Sequence, residues 1–127
     1  MRIRARNIYQ GDMIKNVHYS AEVDETAIIH PSARIEEDAV LGPDTVIRQE
    51  VLIGVDARVG RGTQILRGAI VRLGADIRGR VVIGMDANIG EHARIGEGAR
   101  VEQWGYVASH AVVPCPEFMN AITRRWA

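Results

Sequence analysis

Two of the four histidines, His92 and His110, stand eighteen residues apart in the chain. An imidazole exchanges its proton close to neutral pH, so a pair held together offers a general base for a hydroxyl or an amine. The basic residues supply a second chemistry. Fifteen of the sixteen are arginine, whose planar fork binds carboxylates and phosphates through paired hydrogen bonds. A salt-bridged, solvated surface would use the same arginines without any ligand. His18 and His30 lie in the first repeats and read as structural. Cys115 has no second cysteine to pair with. What the eighteen-residue spacing means depends on the elements that carry it.

Those elements keep a six-residue beat. Aliphatic residues recur from Val17 through Val23, Ile29 and Ile35 to Val113, and a second, mostly small residue follows each by four. Seventeen consecutive hexads span residues 17–118. Six matches neither the helical period nor plain alternation. A short fixed period of this kind marks a parallel β-helix. Three hexads make one triangular coil, so residues eighteen apart stack at strand spacing, and the prism stands roughly 27 Å tall. Asp or Gly precedes the small residue at Asp38, Asp44, Asp56, Gly62, Gly68, Gly74, Asp86 and Gly98. These types accept the left-handed angles that tight corners demand.

The spacing divides the chain into a strand-like cap over residues 1–16, the β-helix over 17–118, and a short amphipathic helix over 119–127. Phe118, Ile122 and Trp126 give that last segment its helical spacing. Counted in hexads, His92 and His110 share one outward column with Ser20, Asp38, Asp56 and Gly74. Arg58, Arg72 and Arg94 fall on the same face. Outward apolar residues gather elsewhere. Leu52, Leu66, Ile70, Met85, Trp104 and Tyr106 count to the face beginning at Ile29, and Val55 and Leu73 count to the histidine face. Such a stripe predicts burial between subunits.

Composition limits the partners. Sixteen acidic residues balance sixteen basic ones, which argues against a nucleic-acid binder with a broad basic face. No run is long and apolar enough to span a bilayer, and the basic N-terminus lacks the apolar stretch of a signal peptide. The expectation is a cytoplasmic protein with no membrane and no nucleic-acid partner.

The runs Ile29-His30-Pro31-Ser32-Ala33-Arg34-Ile35, Val40-Leu41-Gly42-Pro43-Asp44-Thr45-Val46-Ile47 and Ile83-Gly84-Met85-Asp86-Ala87-Asn88-Ile89-Gly90 resemble the hexapeptide-repeat superfamily. That resemblance implies an all-β, left-handed parallel β-helix, a handedness opposite to the usual crossover rule. It also implies a trimeric acyltransferase. An acyl group, typically acetyl, would pass from a coenzyme A or acyl carrier protein thioester to a hydroxyl or amine of a small-molecule acceptor, in grooves between prisms. His92 or His110 would be the catalytic base, Arg58, Arg72 and Arg94 would meet the donor's phosphates, and corner amides would hold the thioester carbonyl. The projecting loop and the GNPAR-like ending of many small members are missing here.

A second branch is similar to γ-class carbonic anhydrases, which hold zinc with three histidines. Val59-Gly60-Arg61-Gly62-Thr63-Gln64-Ile65 resembles a segment of that branch. Arg72, Glu91 and Gly96 stand at the positions matching its zinc ligands, and His92 and His110 supply at most two imidazoles where zinc needs more. No metal is expected. A prism that kept its fold and serves as a scaffold or binding protein is the other alternative, because fold does not dictate function.

Overall fold

The structure, a computed structural model, describes residues 6–7, 12–13 and 16–116. From Glu22–Val23 to Val112–Val113, a two-residue strand recurs at every sixth residue. Each pairs in parallel with the strand eighteen residues on, as Leu52 with Ile70 and Asp76 with Arg94. Three parallel sheets result, and they are the walls of a left-handed triangular β-helix. The Ile29 wall runs from Ile28–Ile29 to Arg100–Val101, the Ile35 wall from Arg34–Ile35 to Tyr106–Val107, and the Val23 wall from Glu22–Val23 to Val112–Val113. Arg6–Asn7 adds to the Ile29 wall beside Ile28, and Asp12–Met13 pairs with it antiparallel. The segment expected to be helical, 119–127, lies outside the described residues.

The hexad pattern builds the interior directly. The second residue of each strand from Glu22–Val23 to Val112–Val113 points inward, and Ile29, Ile47, Ile65 and Ile83 form one stacked column no more than 1% exposed. The small residues, such as Ala57, Ala75 and Ala93, are fully buried where the chain turns. Each aliphatic removed from water contributes about 1.5–3 kcal/mol. Thr45 and Thr63 are the polar exceptions among the described residues: Thr45 Oγ1 donates to the Gly42 carbonyl at 3.1 Å, and Thr63 Oγ1 donates to the Arg78 carbonyl at 2.8 Å and accepts the Val81 N–H at 3.2 Å.

Corners come in two kinds. The first three are built on hydroxyls. Ser20, Thr26 and Ser32 accept the N–H groups of Asp38, Asp44 and Glu50 at 2.8–2.9 Å. His18 Nδ1 and His30 Nδ1 lie within 2.9 Å of the Ser20 and Ser32 hydroxyls and so brace these corners. From Asp38 onward every corner turns through a left-handed residue. All eight Asp and Gly positions read from the sequence are among them. Glu50, Arg80, His92, Trp104 and His110 hold the same conformation without being Asp or Gly.

One feature of the walls differs from the hexad count. A strand comprises the inward aliphatic and the residue before it, so a hexad numbered from the aliphatic crosses a corner and ends on the next wall. Leu52, Ile70 and Tyr106 therefore stand on the Ile35 wall. Leu66, Met85 and Trp104 lie along the corner before it. The apolar stripe wraps an edge of the prism.

Candidate active site

His92 and His110 sit on a corner, between the Ile35 and Val23 walls. Both have positive φ, 58° and 65°. An L-residue in that conformation crowds its Cβ against its own carbonyl, and the surrounding coil holds it there. The His92 N–H donates to the Leu73 carbonyl at 2.9 Å, and the His110 N–H donates to the Glu91 carbonyl at 2.8 Å. With the backbones locked one coil apart, the rings stack, their centroids 5.3 Å apart and their planes inclined by 17°. On its other side the His92 ring covers Gly74, where an added Cβ would collide with Nδ1 and Cε1. Neither ring is hydrogen-bonded to a side chain among the described residues.

His92 opens onto a cleft of about 230 Å³ that it shares with Asp56, Arg58, Gly74, Asp76 and Arg94. Arg58 and Arg94 reach it from the Val23 wall, on the two strands flanking Asp76. Arg72 does not join them. It follows the strand Ile70–Val71 on the other side of the corner, and its Nε donates to Asn88 Oδ1 at 3.0 Å. Only two of the three expected phosphate-binding arginines thus share the cleft with His92, and His110 does not line it. The cause is again the strand boundary, which places positions 58 and 94 beyond the corner and position 72 before it.

Four of the amides around the histidines donate within the β-helix. The N–H groups of Ala93 and Arg94 donate to the carbonyls of Gly90 and Ala111, as those of His92 and His110 do to Leu73 and Glu91. An oxyanion in this cleft would meet guanidinium groups in place of backbone donors. The spacing did not reveal Asp76 or Gly74 as members of the site. The signal for Gly74 was present, since it shares a column with two histidines and is the one residue there small enough to seat a ring. No three His, Cys, Asp or Glu side chains converge on a point that could hold a metal ion, among the described residues.

Residues 23–114 match the model of the family described as the GMPPB C-terminal domain. The chain belongs to that family. As a GMPPB C-terminal domain it shares its fold with solved β-helices. One is the acetyltransferase domain of PglB from Neisseria gonorrhoeae, in complex with acetyl coenzyme A, at 22% identity and a TM-score of 0.72. The likeness covers 77% of this chain and 50% of that one, so the chain spans half the length of that domain. Another is the CcmM N-terminal domain in complex with CcmN, at 21% identity and a TM-score of 0.54, covering 76% of this chain and 92% of that one. No curated protein matches the chain in sequence.

Proposed function

We propose that this GMPPB C-terminal domain protein is an acyltransferase. It moves an acyl group, acetyl in the first instance, from a coenzyme A or acyl carrier protein thioester to a hydroxyl or amine. One observation carries the reading: the His92 imidazole, stacked on His110, faces a cleft flanked by Arg58 and Arg94. The acetyl coenzyme A held by the PglB domain, on the same fold, supports it. His92 takes the acceptor's proton as the acceptor oxygen or nitrogen adds to the thioester carbonyl. Arg94 or Arg58 meets the charge that develops on the carbonyl oxygen. The proton then passes to the departing thiolate. The cleft is open on one chain, and a trimer would wall it with a neighbouring prism. Cys115 stays reduced in the cytoplasm, where this reading places the protein.

The test is release of free coenzyme A thiol from acetyl coenzyme A in the presence of amino and hydroxy sugars. His92→Ala is expected to slow release by about a hundredfold, the usual share of a general base. Its melting temperature should not fall, because the ring is exposed and alanine leaves the core intact. No release above the blank with the unaltered protein would overturn the proposal. A second reading, a non-catalytic binding scaffold, has its own support. Neither imidazole has an orienting side-chain hydrogen bond among the described residues, and the CcmM β-helix was solved in complex with another protein.

A further inference from the structure

A groove of about 630 Å³ begins on the Val23 wall and runs around the next corner toward the Ile29 wall. It meets the histidine cleft at Arg58 and Asp76, which line both. Its volume is within the range of sites that take small organic ligands. Four arginines ring it, Arg58, Arg61, Arg78 and Arg80, against two carboxylates, Asp76 and Glu97. In a chain whose charges balance overall, this groove holds a local excess of positive charge.

The pairing is incomplete. Arg80 Nη1 reaches Glu97 Oε2 at 3.2 Å, and Arg78 Nη2 is 3.8 Å from Asp76 Oδ2, with both arginine side chains at least two-thirds exposed. Arg58 makes no ion pair or side-chain hydrogen bond among the described residues. Guanidinium groups so placed have donors left over for a second acceptor.

Two positions argue that the groove is built for something. Arg80 holds φ of 56° at a corner where the coils on either side use glycine, Gly62 and Gly98. A long cationic side chain is thus held in a backbone conformation that L-residues rarely adopt, as at the other left-handed corners of the chain. Gly79 lies in the column Pro43, Arg61, Gly79, Glu97, where every other coil described carries an outward side chain. Its φ is not left-handed, but an added Cβ would lie 3.1 Å from the Arg61 carbonyl oxygen, so the close approach of the two coils favours glycine there. Gly79 therefore lines the groove between Arg78 and Arg80 without a side chain of its own.

We propose that Arg58, Arg61, Arg78 and Arg80 form a binding groove for a small molecule bearing a diphosphate. A diphosphate presents several charged oxygens that paired guanidinium donors can share. Both a nucleoside diphosphate ester and coenzyme A carry the group. The groove stands on its own observations and does not require acyl transfer at His92.

Titration calorimetry of the full chain with inorganic pyrophosphate, ADP, GDP and coenzyme A tests it. Pyrophosphate is expected to bind saturably and to weaken as salt rises, as an exposed ionic contact should. The double variant Arg61→Gln/Arg80→Gln should weaken it by about tenfold or more, the share of paired charged contacts, with an unchanged melting temperature. Asp76→Asn should tighten it, because a carboxylate leaves the groove. Arg34→Gln, on the Ile35 wall, is the control and should change nothing. Coenzyme A binding more tightly than ADP and GDP would make the groove part of a donor site. The reverse order would make it a separate nucleotide site. No saturable pyrophosphate binding, or binding indifferent to the arginine substitutions, overturns the proposal. Loss of thiol release in His92→Ala with pyrophosphate affinity intact would separate the groove from the acyl-transfer reading.

Discussion

The His92 imidazole occupies the space that a side chain on Gly74 would fill, one coil away in the same corner column. Gly74 has a φ of 69°, so it serves two ends at once: it turns the chain, and it leaves a seat for the ring. Gly74→Ala should lower stability by about 1–2 kcal/mol through its backbone conformation alone. It should also push the imidazole off its stack with His110. Thermal melting reads the first effect, and the His92 ring proton shifts by NMR read the second. An unchanged His92 resonance would show that the ring does not depend on this seat.

The core is one residue deep on each wall, which leaves little room for error. Ile53 is fully buried and stacks on Ile35 and Val71 across three coils. Ile53→Asp places an unpaired charge in that column with no partner to compensate it. The variant is expected not to fold, seen as loss of the β signature in circular dichroism. Ile53→Ala should fold with a loss of about 2–5 kcal/mol, the usual cost of such a truncation.

Trp104 and Tyr106 are 71% and 70% exposed, at a corner and on the adjoining Ile35 wall beside Asn88. Large rings left in water at one edge of a narrow prism favour association. Light scattering is expected to give a particle of three chains, each of 14.0 kDa. Trp104→Asp combined with Tyr106→Asp should shift it toward the single chain. A monomer for the unaltered protein at micromolar concentration would remove the trimer and its intersubunit groove.

Asp24 tests the hydroxyl corners. The Thr26 hydroxyl, at 2.7 Å, and then the Thr26 N–H, at 2.9 Å, hold its carboxyl below the ordinary value of 3.8. A depressed carboxylate contributes stability that is present above the unfolded value and is lost as pH falls through the folded one. The effect on melting should therefore appear only below about pH 4, near the unfolded carboxylate value. An NMR titration of the Asp24 carboxyl is expected to give a midpoint below 3.8, and Thr26→Val should raise it.

The repeat was legible in the sequence because a β-helix reuses one local rule at every turn. Each strand needs an inward aliphatic, and each corner needs a small residue. Six-residue spacing states both without reference to distant contacts. The stacking of His92 on His110 followed from the same rule, since eighteen residues close one coil. The left-handed corners at His92, His110 and Arg80 were less visible, because their residue types give no sign of positive φ. There the coil imposes the conformation through N–H bonds to the coil before it.

Sequence alone determined the three-hexad coil, the core column and which residues share a coil position, because all three depend only on periodicity. The left hand of the coil was implied by the family resemblance. Tertiary structure decided where each hexad breaks between strand and corner. That boundary separated Arg72 from Arg58 and Arg94 and moved the histidines from a wall to an edge. It also gathered Arg61, Arg78 and Arg80, spread over two coils, around Gly79. Periodicity says which residues stack on one another, but only the bent backbone says which stacks face each other across a corner.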